Sequence, residues 1–176
     1  MEAYHISKAT IDDIPQLLPL VNSAYRGESA KKGWTHEADL IEGDRRTDEN
    51  SLTILLQNPA AVILKYEIQN EIRGCVYLEK QGAVLYLGML SVSPEAQAQG
   101  IGKKLMHAAE AHAHAQGCTS IEMTVISVRK ELISWYERNG YDLTGQTRPF
   151  HNDGRFGKPR RPIEFVVMEK KLGTGT

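Results

Sequence analysis

Apolar positions along this chain recur with two periods, and the places where one gives way to the other mark out a series of elements. Tyr4–Lys8 reads as a short strand. Thr10 then takes the place of an N-cap, with Asp12 and Asp13 in the first turn. Ile14, Leu17, Leu18 and Val21 follow at i, i+3, i+4 and i+7, which predicts a helix over about 11–24. Pro15 falls in the first turn, where a missing N–H is tolerated, whereas Pro19 predicts a kink. Periodicity fades between Tyr25 and Thr47, a long stretch holding Gly27, Gly33, Trp34 and Gly43, with room for a short helix near 38–41. Thr47 caps a second helix that runs to about Gln57 and stops at Asn58-Pro59. Three strands follow at 61–66, 72–80 and 84–92, joined by the turn signals Gln69-Asn70 and Gln81-Gly82, as in an antiparallel meander. A helix buries Ile101, Leu105, Ala108, Ala109 and Ala113 and ends near Gln116-Gly117. A strand at 120–126, a helix at 128–138 closed by Asn139-Gly140, and strands at 141–147 and 163–171 complete the order β-α-α-β-β-β-α-β-α-β-β.

The stretch with the most chemistry lies between the third strand of the meander and the helix after it. The apolar run ends at Val92-Ser93-Pro94 and passes through Gln97-Ala98-Gln99-Gly100-Ile101-Gly102 into helical spacing. The first N–H groups of a helix have no partner within it, and the helix dipole puts positive charge behind them. Glycines at such a turn let a phosphate or pyrophosphate approach the backbone. Two common phosphate motifs do not fit. Lys103 is followed by Lys104 where a P-loop needs Ser or Thr, and Leu105 stands where a dinucleotide fingerprint needs its third glycine.

The pattern Q/R-x-x-G-x-G/A after a V-x-P strand end resembles the acetyl-CoA signature of the GNAT family of N-acetyltransferases. The element order resembles that family's fold over nearly the whole chain. A second segment, Ile133 to Tyr141 (I-S-W-Y-E-R-N-G-Y), resembles its Y-x-x-x-G-F/Y block. The resemblance implies an α+β, three-layer GNAT fold: a mixed, mostly antiparallel sheet flanked by helices. It also implies transfer of an acetyl group from acetyl-CoA to a primary amine by direct attack. Backbone groups of Leu90, Ser91 and Val92 on a strand splayed from its neighbour would take the acyl end. Gln97, Ala98, Gln99, Gly100, Ile101, Gly102 and Lys103 would take the pyrophosphate. Tyr136 would protonate the leaving thiolate, since a phenol near its ordinary pKa of about 10 carries its proton at neutral pH. Two departures stand out. Arg129 occupies the place, seven residues before Tyr136, where many members carry a pantetheine-binding Asn. The run from Tyr86 to Val92 has no carboxylate base, and Thr124 sits where some members carry one. The base is left among Glu122, Glu37, Asp39 and relayed water. Two further readings stay open: a non-catalytic acyl-CoA sensor of the same fold, and a different nucleotide on the same glycine turn.

Composition narrows the setting. A chain of 176 residues fits one domain, read as 1–172 with a tail at 173–176. A net charge of −1 gives no global field for nucleic acid or membrane, no basic n-region or apolar h-region opens the chain, and no run approaches a membrane span. Cys75 and Cys118 lack C-x-x-C spacing and read as buried free thiols of a cytoplasmic protein. Neither cysteine is near the signature, which disfavours a covalent acyl-enzyme. His107, Glu110 and His114 share a helix face, but H-E-x-x-H is absent and His112 points elsewhere, so no metal is expected. Charge is uneven: residues 35–50 hold six carboxylates against two arginines, and 148–162 hold five cations against one carboxylate. The pair would suit an amino-acid-like acceptor or simply bind each other. The amine acceptor, a small molecule or a peptide, is not identified by the sequence, and homodimerisation through a sheet edge or the last hairpin is left open.

Overall fold

The computed structural model describes residues 3–25, 41–42, 47–94, 96, 100–149, 158–159 and 164–173. Among them, β1 (Tyr4–Lys8), β3 (Ala61–Ile68), β4 (Glu71–Gln81), β5 (Val84–Val92), β6 (Ser120–Ile126), β7 (Asp142–Pro149) and β9 (Glu164–Lys171) build one sheet in the order β1-β3-β4-β5-β6-β9-β7. Every pairing is antiparallel except β5 with β6. A separate ribbon pairs β2 (Ile41–Glu42) with β8 (Lys158–Pro159).

Helices cover both faces. On one, α1 (Ile14–Tyr25) and α2 (Glu49–Gln57) enclose a cluster of Leu17, Val21, Leu52, Ile63, Cys75 and Met89. On the other, α3 (Ile101–Ala115) and α4 (Lys130–Arg138) pack on Leu78, Leu85, Leu90, Ile121, Met123 and Met168. This is the mixed three-layer arrangement expected from the element order.

Several boundaries differ from expectation, three of them for a plain local reason. The first helix opens as a 3₁₀ turn at Ile11–Asp13. The donor due to Ile11's carbonyl in an α-helix is residue 15, a proline, so the Ile14 N–H takes that carbonyl instead. The fourth helix begins at Lys130 and not at 128, because Arg129 N–H turns back to the Ile126 carbonyl at 2.9 Å and ends the strand with a tight turn. Strand β7 starts at Asp142 because Tyr141 closes the preceding helix: its N–H reaches the Tyr136 carbonyl at 3.1 Å past Gly140, whose φ is +96°. Ile41, expected near a short helix, lies in β2; residues 38–40 of that expectation, and Ile163 of the last strand, fall outside the described residues. The acidic and basic stretches meet at this ribbon, where Glu42 and Lys158 are register partners.

Two devices place the helices around the sheet's centre. Gln69 and Asn70, at φ +53° and +65°, form the two-residue turn between β3 and β4. Asn22 of α1 grips both backbone groups of Thr47: the Thr47 N–H donates to Asn22 Oδ1 at 2.9 Å, and Asn22 Nδ2 donates to the Thr47 carbonyl at 3.2 Å. That clamp fixes the start of α2, whose N-cap is Asp48 and not the expected Thr47: the Asp48 carboxylate accepts from Ser51 N–H at 2.7 Å, while Thr47 is held by Asn22.

Candidate active site

The centre of the sheet is open. β5 and β6 pair only at Val84, Leu85 and Tyr86 with Ser120, Ile121 and Glu122. Beyond Tyr86 the two strands part: β6 stays paired with β9 to Ile126, and β5 stays with β4 to Val92. β5 also bulges there. Tyr77 faces Gly88 and Cys75 faces Ser91, so Met89 and Leu90 stand opposite the single residue Val76. Met89 takes a left-handed conformation at φ +54°. The extra residue reverses the strand's alternation. Leu85 and Leu87 point to the α3–α4 face, Met89 to the α1–α2 face, and Leu90 and Val92 to the α3–α4 face again. Ser91 is fully buried, and its hydroxyl donates to the Met89 carbonyl at 3.0 Å, tying the bulge.

Past the open end of the splay lies the N-terminus of α3. Gly100 caps it with φ +75°, a left-handed value that favours glycine, and its carbonyl accepts from Lys104 N–H at 3.1 Å. A β-carbon at Gly100 would meet no atom of the described residues within 4 Å, as a phosphate seat requires. Ile101 and Gly102 are buried against the sheet and Lys103 is exposed on the first turn. Lys104 turns away, its ammonium 4.6 Å from the centre of the Tyr4 ring, which stacks on Tyr66. Gln97, Ala98 and Gln99 of the signature lie outside the described residues.

Tyr136 comes to the splay from the α3–α4 face. It is 5% exposed and sits edge-on to Trp135 at 5.2 Å and to Tyr141 at 6.0 Å. Burial pushes its phenol above the ordinary value, the Arg129 guanidinium pulls it back, and Tyr86 pushes it up further. Tyr136 therefore keeps its proton through neutral pH.

The opposite face carries residues that the sequence reading did not assign. The ring of Tyr86 lies along its own strand over Gly88: a β-carbon there would come within 2.9 Å of Tyr86 Cε1. Tyr86 meets Tyr77 edge-on at 6.5 Å. The Tyr77 hydroxyl donates to Glu79 at 2.5 Å and accepts from Asn58 Nδ2 at 3.3 Å. Burial and that carboxylate raise the Tyr77 phenol to about 12, while the Tyr77 and Gln81 donors hold Glu79 below the usual carboxylate range. Glu122 is in register with Tyr86 and so lies on the α1–α2 face. Alternation along β6 alone could not decide that face; pairing with Tyr86 does.

Cys75, expected away from the signature, is instead the register partner of Ser91, because β4 runs beside β5. Cys75 is fully buried, and its thiol is pushed up to about 12 by burial against the opposing pull of a Ser91 hydrogen bond. Cys118 is a free, buried thiol. Glu110 is ion-paired with Lys170 at 2.8 Å, and among the described residues no group of three potential ligands gathers. No helix among them is long and apolar enough to cross a membrane.

Solved structures share this architecture. PaiA N-acetyltransferase from Thermoplasma acidophilum in complex with coenzyme A superposes with a TM-score of 0.70 at 20% identity, covering 97% of this chain and 99% of that one. YncA from Salmonella typhimurium with its cofactor acetyl-CoA gives 0.72 at 16%, over 99% and 96%. The ribosomal-protein-S18-alanine N-acetyltransferase from Escherichia coli gives 0.72 at 13%, over 99% and 97%. At these identities the likeness speaks for the fold. The description of the acetyltransferase (GNAT) family matches residues 18–141, most of the chain, including the splayed strand, the glycine turn and Tyr136. The chain belongs to the acetyltransferase (GNAT) family.

Proposed function

We propose that the protein transfers the acetyl group of acetyl-CoA to a primary amine by direct attack, without an acyl-enzyme. The observation that carries this reading is the parting of β5 from β6 after Tyr86, with the open N-terminus of α3 beyond one end and a proton-bearing tyrosine at its side. Acetyl-CoA supplies an activated thioester when bound. The chain's own groups do the rest. Leu90, Ser91 and Val92 shape the acyl end of the slot through the bulge, while residues 97–103 meet the pyrophosphate with the helix dipole behind them. Tyr136 holds a proton for the departing thiolate. Of the two carboxylates in register with Tyr86, Glu79 is held by Tyr77 and Gln81, which leaves Glu122, among the described residues, to draw the amine's proton away.

Neither cysteine suits a covalent route, because both are buried and the Cys75 thiol stays protonated. The test is acceptor-dependent release of free thiol from acetyl-CoA. Tyr136→Phe is expected to lower that rate by about 10²-fold or more while acetyl-CoA binding persists. Binding without thiol release for any amine would instead leave an acyl-CoA sensor of the same fold.

A further inference from the structure

On the α1–α2 face a cleft of about 340 Å³ lies between α2 and the sheet, at the low end of the range for small-molecule sites. Its inner end is Gly88 and Met89, the residues directly beyond the last β5–β6 pair, so it opens onto the splay. Tyr77 and Tyr86 form its floor, and Ile54 and Leu55 of α2 its wall. Ile54 is 61% exposed, although Leu52 on the same helix is fully buried. None of the described lining residues is charged; their polar groups are the hydroxyls of Thr47, Ser51, Tyr77 and Tyr86, and that of Tyr77 is already held by Glu79 and Asn58.

We propose that the acceptor is a primary amine with a compact aromatic or branched aliphatic body, seated in this cleft with its nitrogen at the splay. The assignment rests on the transfer reading and narrows its substrate class. A second ammonium, as in a diamine, would have to leave water beside Ile54, Leu55 and Met89, with Glu79 already held by Tyr77 and Gln81, and an amino acid's carboxylate would find no cation among the described lining residues. An aromatic ring gains contact with the rings of Tyr77 and Tyr86 that line the cleft.

The experiment measures thiol release at saturating acetyl-CoA with phenethylamine, isopentylamine, ethylamine, putrescine and leucine. Alongside it, calorimetry measures binding of phenethylamine to the protein loaded with coenzyme A. Phenethylamine is expected to exceed ethylamine in kcat/KM by about tenfold or more, the share expected from burying its body. Ile54→Glu should remove most of that advantage and Ile54→Leu should keep it, with the Kd for acetyl-CoA the same in both. A preference for putrescine or leucine, or a ratio unmoved by Ile54→Glu, overturns the assignment. If phenethylamine binds in an Ile54-dependent way and no thiol is released, the cleft assignment stands and the transfer reading falls. If putrescine is acetylated while phenethylamine neither binds nor reacts, the transfer reading stands and the cleft assignment falls. Absence of both binding and reaction for the apolar amines overturns the cleft assignment.

Discussion

Gly74 on β4 and Ile101 at the start of α3 approach so closely that a β-carbon on Gly74 would stand 2.8 Å from Ile101 Cγ2 and 3.2 Å from the Ser91 carbonyl. Glycine is needed here for closeness, since its φ is ordinary. The contact seats the glycine turn of α3 against β4 where it pairs with the end of the bulged strand β5, so the turn and the bulged strand share one packing point. Gly74→Ala should therefore destabilise the fold by about 1–3 kcal/mol, the usual cost of overpacking. It should also weaken acetyl-CoA binding, because Ile101 must shift with the first turn of α3. Thermal unfolding and calorimetry read the two effects; a variant with wild-type Tm and affinity would show that the approach is not what positions the helix.

Gly100 separates backbone strain from ligand contact. Its β-carbon would meet nothing among the described residues, so Gly100→Ala is expected to cost only the left-handed conformation, about 1–2 kcal/mol. Gly100→Glu carries the same strain plus a negative charge in the open space before the helix. The prediction is that Gly100→Ala retains measurable acetyl-CoA affinity and Gly100→Glu does not. Equal affinities in the two variants would mean that no phosphate sits at this turn.

Much of this architecture is legible in the residues, and what is not has a common cause. The runs 84–92 and 120–126 are strands with the expected ends because β-branched and large apolar residues dominate both. The α3 turn is legible because Gly100 and Gly102 interrupt that run just before helical spacing begins. The bulge at Met89 is not legible. It exists only relative to β4, and nothing in V-L-Y-L-G-M-L-S-V marks which residue will lose its partner. The same holds for Gly74, whose constraint comes from α3, and for Tyr86, whose place on the α1–α2 face follows from its register with Glu79 and Glu122. Local periodicity describes an element; the site is made where elements from distant parts of the chain meet.

The raised phenol of Tyr136 fixes the shape of the pH profile. A general acid must hold its proton, so activity is lost only as pH rises through its pKa, and burial moves that limb above the ordinary tyrosine value of about 10. The rise at lower pH comes from deprotonation of the amine. The expected kcat/KM therefore climbs with pH and shows no falling limb below about pH 10. A falling limb near neutrality that persists in Tyr136→Phe would remove Tyr136 from the acid role.

Thiol chemistry tests the noncovalent route. Cys75 is 0% and Cys118 5% exposed. A thiol-specific chromogenic disulfide should report neither in the native protein and both after unfolding in guanidinium. Treatment of the native enzyme with iodoacetamide should then leave acetyl transfer intact. Rapid loss of activity matched to modification of one cysteine would bring a covalent intermediate back into consideration.

Tyr141 gives the clearest expectation for stability. Its side chain is 1% exposed among Tyr136, α3 and the stem of Lys170, whose ammonium lies 6.0 Å from the ring centre. The hydroxyl is buried with no hydrogen-bond partner among the described residues, and burial raises its pKa. An unmet buried hydroxyl costs about 1–3 kcal/mol, while the ring itself contributes by packing. Tyr141→Phe keeps the ring and removes the orphan group, so the variant should be as stable as the parent or more stable, by up to about 1 kcal/mol. Tyr141→Leu should be destabilised, since it loses the edge contact with Tyr136. Chemical denaturation of the three proteins decides the matter. A clear loss of stability in Tyr141→Phe, with the denaturant slope unchanged, would mean that the hydroxyl has a partner after all, most simply an ordered water held between α3 and α4.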